Sequence, residues 1–151
     1  MKRVLRWILL ILGIVVLLVG IFLLFVYLRG IPNYEVNVPE IEEIEYTEER
    51  WDRGQRLVNL VCRECHSPLD KRILEGRKLS ELPPIFGEIY SANITHHPKS
   101  KLTPYSDAEL VYLLRTGITR DGRYLPAYMP KFPRMSDEDV KSVVTYLRAD
   151  S

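Results

Sequence analysis

The chain of 151 residues has few sulfur-containing and imidazole side chains: two cysteines, three methionines and three histidines. Two cysteines exclude a small scaffold held together by several disulfides. Acidic residues are absent before Glu35, and no charge of either sign occurs between Trp7 and Leu28. At this length we expect one globular domain, and a large α/β enzyme is excluded.

The small net charge of +1 averages two unlike parts of the chain. Residues 30–151 contain 17 basic and 20 acidic side chains, so this part carries a charge of −3. The excess of positive charge comes from four residues that flank the uncharged segment: Lys2, Arg3, Arg6 and Arg29. A net acidic globular part is a poor binder of nucleic acid, so we expect no nucleic-acid partner.

The uncharged segment has the length of a membrane-spanning helix. Its 22 residues would reach about 33 Å as an α-helix, close to the thickness of the bilayer hydrocarbon core. A cleaved signal peptide has an apolar region of about 7–15 residues followed by small residues. This segment is longer and ends in Phe25-Val26-Tyr27-Leu28-Arg29. We therefore interpret residues 1–29 as a transmembrane anchor in contact with the lipid bilayer.

Charges on the two sides of the anchor predict its orientation. Basic residues precede it, and seven glutamates lie between Glu35 and Glu49. The positive-inside rule places the N-terminus in the cytoplasm and the rest of the chain outside. We expect a single-pass protein of the bacterial cytoplasmic (inner) membrane, with its globular domain on the periplasmic side.

An acidic segment joins the anchor to the globular part. Pro32 and Pro39 disfavour helix, and neighbouring glutamates repel one another. We therefore expect residues 30–46 to form an extended linker.

Residues 47–151 contain three segments with helical periodicity, at about 48–62, 106–116 and 137–148. Thr47, Ser106 and Ser136 are the expected N-caps. Between the first two segments lie about forty residues rich in proline, glycine and polar groups. A compact domain rarely contains so long an irregular stretch unless it wraps around something.

Both cysteines lie in one motif, Cys62-Arg63-Glu64-Cys65-His66, at the end of the first predicted helix. This spacing is a haem-attachment signature. Thiols three positions apart lie on one side of a helical turn, where each can add to a vinyl group of a haem. The next residue, His66, then lies beneath the iron, and a neutral imidazole is a good iron ligand. We therefore predict one covalently bound haem c, attached through Cys62 and Cys65.

The two cysteines have three alternative uses, and each meets an objection. A thioredoxin-like site needs a βαβ context, which the helical pattern does not supply. A structural zinc site needs four ligands, and the other candidates are only the three histidines, His66, His96 and His97. A disulfide would close a short, strained loop.

A second iron ligand has to come from another part of the chain. Met129 lies in Pro126-Ala127-Tyr128-Met129-Pro130, an irregular loop stiffened by prolines that could present a thioether to iron. Met135 directly precedes the cap of the last helix, where an apolar residue usually packs onto the helix. We predict Met129 as the distal ligand and Met135 as a core residue. His96 or His97 is the competing ligand.

Two further segments, together with the haem motif, carry a family resemblance. The segments are FGEIYSANIT, from Phe86 to Thr95, and MPKFPRMSDED, from Met129 to Asp139. The chain from about Thr47 to Ser151 resembles a class I cytochrome c domain. The two segments resemble the cytochrome c subunits of periplasmic alcohol and aldehyde dehydrogenases, and membrane-bound monohaem cytochromes with the Asn-Ile-Thr loop.

The resemblance implies an all-α fold in which three or four helices surround one covalent haem. Its first and last helices cross closely, at Gly54 and Tyr146. The haem-binding residues that it implies are the two thioether cysteines and the two axial ligands: Cys62, Cys65, His66 and Met129. It also makes Arg77, Tyr90 and Asn93 candidate neighbours of the haem propionates, although loop hydrogen bonds are a simpler role for these three.

The predicted function is transfer of single electrons. With both axial positions filled, no open position exists for oxygen chemistry, so we expect an electron-transfer protein or a subunit of an oxidoreductase complex. The leading hypothesis is a respiratory carrier, free or within a complex, that acts between a quinol-oxidising complex and a terminal oxidase or other acceptor. The alternative is the electron-accepting subunit of a periplasmic dehydrogenase. Such subunits usually carry three cytochrome domains, whereas this chain has one motif. A haem gas sensor and a purely structural haem are further alternatives.

Basic residues lie near both ligand motifs: Arg63, Arg123, Lys131 and Arg134. We expect them to surround the exposed haem edge and to dock an acidic partner surface. Solvated surface charges are the simpler alternative.

Overall fold

The computed structural model describes residues 2–149, apart from the side chain of Phe86. Within that range it contains no β-strand, five α-helices and one short 3-10 helix, Pro84–Phe86. The α-helices are α1 (Lys2–Arg29), α2 (Glu48–Val61), α3 (Arg63–His66), α4 (Asp107–Thr116) and α5 (Asp137–Ala149). The predicted all-α fold class is confirmed.

The chain divides into two compact units between Tyr34 and Glu35. The first unit contains α1, a helix of 28 residues with no buried side chain. Among the described residues, α1 is the one helix long and apolar enough to cross a membrane, by length and composition. The second unit contains the other helices.

Side chains at the helix ends explain where the helices of the second unit begin and stop. The Thr47 hydroxyl accepts a hydrogen bond from the first turn of α2, and the Ser136 hydroxyl does the same for α5. Ser106 and Glu109 form a reciprocal capping box at the start of α4. Gly117 ends α4 in the left-handed conformation, with φ of 75°. The predicted bounds therefore agree with the observed helices to within about one residue.

Helices α2 and α5 cross closely because α2 carries a glycine at the crossing. Gly54 is buried, and a β-carbon there would collide with the backbone carbonyl of Ser142. The same β-carbon would lie 2.9 Å from the β-carbon of Tyr146. Beside this contact the rings of Trp51 and Tyr146 pack with their centroids 5.4 Å apart. The crossing implied by the family resemblance is thus observed.

Two clusters of buried side chains form the core of the second unit. The first joins α2 and α5 to the irregular stretch between α2 and α4: Val58, Cys62, Leu74, Ile94, Val143 and Leu147. The second joins α4 to α5: Leu110, Val111, Leu113, Val140 and Val144. Leu102, Leu114 and Met135 pack against both clusters. The haem motif therefore begins inside the core, at Cys62.

Residues 35–46 have no regular secondary structure, and part of this segment packs on the second unit. Ile41 and Ile44 are half-buried against the second cluster. The Arg50 guanidinium donates a hydrogen bond to the carbonyl of Glu45, at 2.7 Å. This part of the chain is irregular and is attached to the globular unit.

Candidate haem-binding site

The Cys-x-x-Cys-His motif occupies the turn that joins α2 to α3. Cys62 ends α2, and the N–H of His66 donates to the Cys62 carbonyl at 3.0 Å. Both cysteines are free thiols, so they form no disulfide in this structure. Burial raises the pKa of the Cys62 thiol to about 12, whereas Cys65 is half-buried. One helical turn thus presents two thiols and an imidazole.

His66 is 7 % exposed, and one of its ring nitrogens has a protein partner. Its Nδ1 lies 2.8 Å from the carbonyl oxygen of Ala92. Burial lowers the pKa of His66, so the ring is neutral at pH 7. A carbonyl only accepts hydrogen bonds, so the proton lies on Nδ1 and the lone pair on Nε2. Among the described residues, Nε2 has no hydrogen-bond partner.

A buried nitrogen lone pair without a partner is rare in folded proteins. Metal-bound histidines commonly donate their second ring N–H to a carbonyl or carboxylate, which orients the ring and fixes the tautomer. His66 has this arrangement, and two free thiols lie on the same turn. The residues present therefore fit a haem group.

Two extended segments hold the Ala92 carbonyl against His66. Residues 74–79 and 89–94 run antiparallel, joined by three backbone hydrogen bonds of 2.9 Å. The first segment is tied to the motif because the N–H of Gly76 donates to the His66 carbonyl, at 2.8 Å. The two segments together form a short antiparallel ribbon. Within the irregular stretch, this ribbon makes the hydrogen bonds to His66.

Sequence reasoning missed both Ala92 and Gly76. Ala92 acts through its backbone oxygen, which leaves no signal in the side-chain pattern. Gly76 has φ of 85°, and a β-carbon there would collide with the Ser91 carbonyl. Its sequence signal was available, since a glycine inside an irregular stretch often marks a close backbone approach.

The three candidate propionate neighbours all make hydrogen bonds within loops. Arg77 is tied to the motif, because its Nε donates to the carbonyl of Glu64 at 3.0 Å. The Asn93 side-chain oxygen accepts two hydrogen bonds from Thr95. Tyr90 is 62 % exposed, and its hydroxyl donates to a nearby carboxylate. Contact of these residues with haem propionates stays a prediction.

Met129 lies in a loop, residues 125–132, within the segment that joins α4 to α5. Both ends of this loop are hydrogen-bonded to the C-terminal end of α4. The N–H of Met129 donates to the Pro126 carbonyl at 3.0 Å, which makes a turn. At the two ends of the loop, Leu125 donates to Gly117 and Phe132 donates to the carbonyl of Leu114, at 2.7 and 2.8 Å. Among the described residues, no hydrogen bond joins residues 125–131 to residues 62–66. Iron ligation by Met129 stays a prediction.

The competing ligands have different surroundings. Met135 is half-buried and packs against both core clusters, as expected of a core residue. His96 and His97 are exposed, and the Nδ1 of His97 accepts a hydrogen bond from the Lys99 N–H at 3.1 Å. Residues 2–149 contain no group of three or more Cys, His, Asp or Glu side chains arranged to bind a metal ion.

The four basic residues near the ligand motifs differ in their contacts. Arg63 donates to the Asn59 side chain, and Arg123 pairs with a neighbouring carboxylate. Arg134 is exposed and makes no hydrogen bond or ion pair with any described residue. Lys131 is half-buried and donates to two backbone carbonyls. Lys131 therefore lacks the surroundings of a surface docking charge.

Known proteins similar to this chain include three components of dehydrogenases. The fructose dehydrogenase cytochrome subunit of Gluconobacter japonicus is 30 % identical over 105 residues, which are 66 % of this chain. The cytochrome c subunit of the quinone-dependent alcohol dehydrogenase of Gluconobacter oxydans is 32 % identical over 97 residues, 62 % of this chain. A nicotinate dehydrogenase subunit from Pseudomonas putida is 32 % identical over 92 residues, 60 % of this chain.

The similar region is a small part of each relative. It spans 22 % of the fructose dehydrogenase subunit, 20 % of the alcohol dehydrogenase subunit and 8 % of the nicotinate dehydrogenase subunit. A family model described as cytochrome c oxidase, cbb3-type, subunit III matches residues 49–147, which include the whole haem motif. Since that match covers about two thirds of the chain, the protein belongs to this family of haem-binding, electron-transferring cytochromes c.

Proposed function

We propose that this protein is a membrane-anchored cytochrome c with one covalently bound haem, which accepts electrons from a dehydrogenase. The observation that carries haem binding is the Nε2 of buried His66, which has no hydrogen-bond partner within residues 2–149 and lies on the same turn as two free thiols. The choice of a dehydrogenase as donor rests on the three relatives, each of which is a dehydrogenase subunit. They favour this alternative over a carrier between a quinol-oxidising complex and a terminal oxidase.

Four side chains hold the haem in this proposal. Cys62 and Cys65 would attach it through thioether bonds, and His66 and Met129 would ligate its iron. When bound, the haem supplies a one-electron couple between Fe(II) and Fe(III), whose potential a thioether ligand raises. The sequence contains one Cys-x-x-Cys-His motif and no other cysteine, which supports a single haem.

The chain's own residues orient the ligand. The Ala92 carbonyl keeps the proton on Nδ1 of His66 and thereby leaves Nε2 free to ligate. Cys62 and Ile94, which lie in the same core cluster, hold the motif and the ribbon together. These contacts fix the ring before any electron is transferred, so that oxidation and reduction require little movement of the protein.

The N-terminal helix anchors this domain in the cytoplasmic membrane of a bacterium. The length and apolar composition of α1 support a membrane span. Lys2, Arg3 and Arg6 before the span and the glutamates after it support an N-terminus in the cytoplasm and a periplasmic haem domain. Anchoring raises the effective concentration of the domain near membrane-bound partners.

A respiratory carrier is the second candidate function. It is favoured by the description of the matching family, a subunit of a cytochrome c oxidase, and by the single haem motif. The similar region also covers at most 22 % of the dehydrogenase subunits, so most of their length has no counterpart in this chain. The donor would then be a quinol-oxidising complex, and the acceptor a terminal oxidase.

The electron donor distinguishes the two candidates. The full-length tagged protein is purified from membranes in mild detergent, and its companion chains are identified. Haem reduction is then followed by absorbance in membranes after adding the substrate of the companion dehydrogenase, with and without an inhibitor of the quinol-oxidising complex. Reduction that persists under the inhibitor is the expected result. Reduction that the inhibitor abolishes, with respiratory subunits as the companions, would favour the second candidate.

A variant without haem provides the control. In Cys62→Ser/Cys65→Ser the full chain and its anchor are retained, but neither thioether bond can form. The absorbance change should disappear in membranes that contain this variant in place of the wild type. A change that persists would come from another cytochrome in the membrane.

A further inference from the structure

Lys131 closes the loop that carries Met129. Its ammonium group donates to the carbonyl of Leu125 at 3.0 Å and to that of Pro126 at 2.7 Å. These carbonyls precede Met129 in the chain, whereas Lys131 follows it, so the two hydrogen bonds span the loop. The same ammonium group lies 4.5 Å from the centre of the Tyr124 ring, where a cation is attracted to the aromatic face.

The aliphatic part of Lys131 is also enclosed. A β-carbon at Gly117 would lie 2.5 Å from Cε and 2.9 Å from Cγ of Lys131, so the lysine stem packs directly over the glycine that ends α4. Gly117 therefore contacts the Lys131 stem and also accepts, through its carbonyl, the hydrogen bond from the Leu125 N–H. One side chain links the end of α4, the start of the loop and the segment after Met129.

The loop has few other ways to hold its shape. Pro126 and Pro130 have no N–H, so they cannot donate backbone hydrogen bonds. Within residues 126–131, the Met129 N–H to Pro126 is the only backbone hydrogen bond in the described structure. The two bonds from Lys131 are charge-assisted and therefore stronger than ordinary amide bonds. They connect the chain before Met129 to the chain after it.

We propose that Lys131 is a positioning residue that holds the Met129 thioether in place as an iron ligand, rather than a charge that docks a partner. This inference rests on the proposed ligation by Met129. Loss of the two hydrogen bonds leaves the loop attached at its ends but free to open between them, and an opened loop exposes the distal position to other ligands.

The test compares variants of the full-length, haem-loaded protein in detergent. Lys131→Met keeps a linear apolar stem and removes the ammonium group. Arg134→Met is the matched control, because it removes the same charge from an exposed residue of the same segment without hydrogen-bond partners among the described residues. Lys131→Arg retains a cationic donor at this position. Lys131→Gln is a second variant without the ammonium group, for use if Lys131→Met folds poorly. Its shorter polar side chain cannot reproduce the two hydrogen bonds to Leu125 and Pro126.

Two readouts report on the iron–thioether bond directly. One is the rate at which added imidazole replaces the distal ligand in the oxidised protein, and the other is carbon monoxide binding to the reduced protein. We expect Lys131→Met and Lys131→Gln to bind imidazole at least about tenfold faster than wild type, since the loss of even one hydrogen bond to a charged group has about this effect. Arg134→Met should stay within about twofold of wild type, and Lys131→Arg should recover part of the difference.

Met129→Ala separates failure of this inference from failure of the proposed ligation. If Met129→Ala alters the spectrum but both Lys131 variants exchange ligand at the rate of wild type, Lys131 does not position the loop. Equal acceleration in Arg134→Met would assign the effect to charge and overturn the inference in the same way. If Met129→Ala leaves the spectrum unchanged, Met129 is not the ligand, and both proposals fail.

Discussion

At the scale of single residues, one backbone carbonyl determines what His66 can do. Hydrogen bonding to Ala92 places the proton on Nδ1, and burial keeps the ring neutral by lowering its pKa. The unprotonated Nε2 is then available as a ligand without loss of a proton. The partner is a backbone oxygen, so the orientation of His66 depends on the ribbon that holds the Ala92 carbonyl in place. It depends less on which side chain occupies position 92.

The two methionines of the globular unit provide the first prediction. Met129→Ala should remove the distal ligand, because no other thioether lies in that loop, and should give a high-spin or ligand-exchanged haem that binds carbon monoxide when reduced. Met135→Ala should leave the spectrum intact and lower the free energy of unfolding by about 1–2 kcal/mol, since it removes a half-buried core side chain. Absorbance spectra and denaturant unfolding measure both effects.

The opposite pattern would contradict the ligand assignment. A spectral change in Met135→Ala, with a normal spectrum in Met129→Ala, would make Met135 the ligand. A normal spectrum in both variants would leave His96 and His97 as the candidate ligands. Single alanine variants of these histidines then complete the set.

Sequence patterns predicted the residues that act through their side chains. The haem motif and the capping residues could be read directly, because their chemistry depends on residue type and spacing. The partners of His66 and Lys131 could not, because they are backbone carbonyls of Ala92, Leu125 and Pro126. Their positions depend on how the irregular stretch folds, which no periodicity in the sequence describes.

At the scale of helices, the crossing of α2 and α5 is the main contact of the globular unit. Gly54 permits it, since any larger residue would push against the Ser142 carbonyl. The buried face of α5 is fully packed: Val140 and Val144 are 0 % exposed. The α5 backbone therefore has little room to shift away from a new side chain on α2.

Gly54→Ala should accordingly destabilise the protein although alanine favours helix. The helical preference would contribute up to about 1 kcal/mol in favour of alanine, whereas overpacking at a tight contact costs about 1–3 kcal/mol or more. Because the new β-carbon would meet a backbone carbonyl rather than a flexible side chain, we expect a cost in the upper part of that range. The expected net loss is about 1–2 kcal/mol in the free energy of unfolding. Arg56→Ala, on the exposed side of the same helix, should change it by less than about 0.5 kcal/mol. Equal stability of Gly54→Ala and wild type would contradict the observed crossing.

Ion pairs across the same crossing predict a dependence on pH. The Arg53 side chain hydrogen-bonds to Asp139 and lowers the pKa of that carboxyl, and Arg50 does the same to Glu138. A carboxyl whose pKa is lower in the folded state stabilises the fold at neutral pH, and this contribution is lost as the pH falls below about 4. The effect is small because one side chain of each pair, Glu138 and Arg53, is largely exposed to solvent.

Removal of one arginine isolates this contribution. Arg53→Gln should be less stable than wild type at pH 7, and the difference should shrink as the pH falls toward 3. Denaturant unfolding at several pH values measures it, with Arg56→Gln as a control in which no such convergence is expected. A difference between Arg53→Gln and wild type that is independent of pH would show that the ion pair contributes nothing.

At the scale of the whole molecule, the segment after the anchor is irregular, and two of its apolar side chains pack against the core. Its glutamates and prolines predicted an extended linker over residues 30–46, and residues 35–46 have no regular secondary structure. Ile41 and Ile44 nevertheless pack against the second core cluster. Two isolated apolar residues among acids carry little periodicity, so the contact could not be predicted without the fold.

Ile44→Ala should therefore destabilise the globular unit although the residue lies outside its helices. The expected loss is about 1–2 kcal/mol in the free energy of unfolding, less than for a fully buried isoleucine. Ile31→Ala is a matched control, because Ile31 is 83 % exposed and should have no effect on unfolding followed by haem absorbance. Equal stability of Ile44→Ala and wild type would mean that residues 35–46 are detached from the unit in solution.

The central claim is that this membrane-anchored chain carries one haem bound through Cys62 and Cys65. The most direct test is the intact mass of the denatured full-length protein, produced in a bacterium that matures c-type cytochromes. We predict a mass of the chain plus one haem, and the bare chain mass for Cys62→Ser/Cys65→Ser. A wild-type mass without haem, or a haem that is released on denaturation, would contradict the claim.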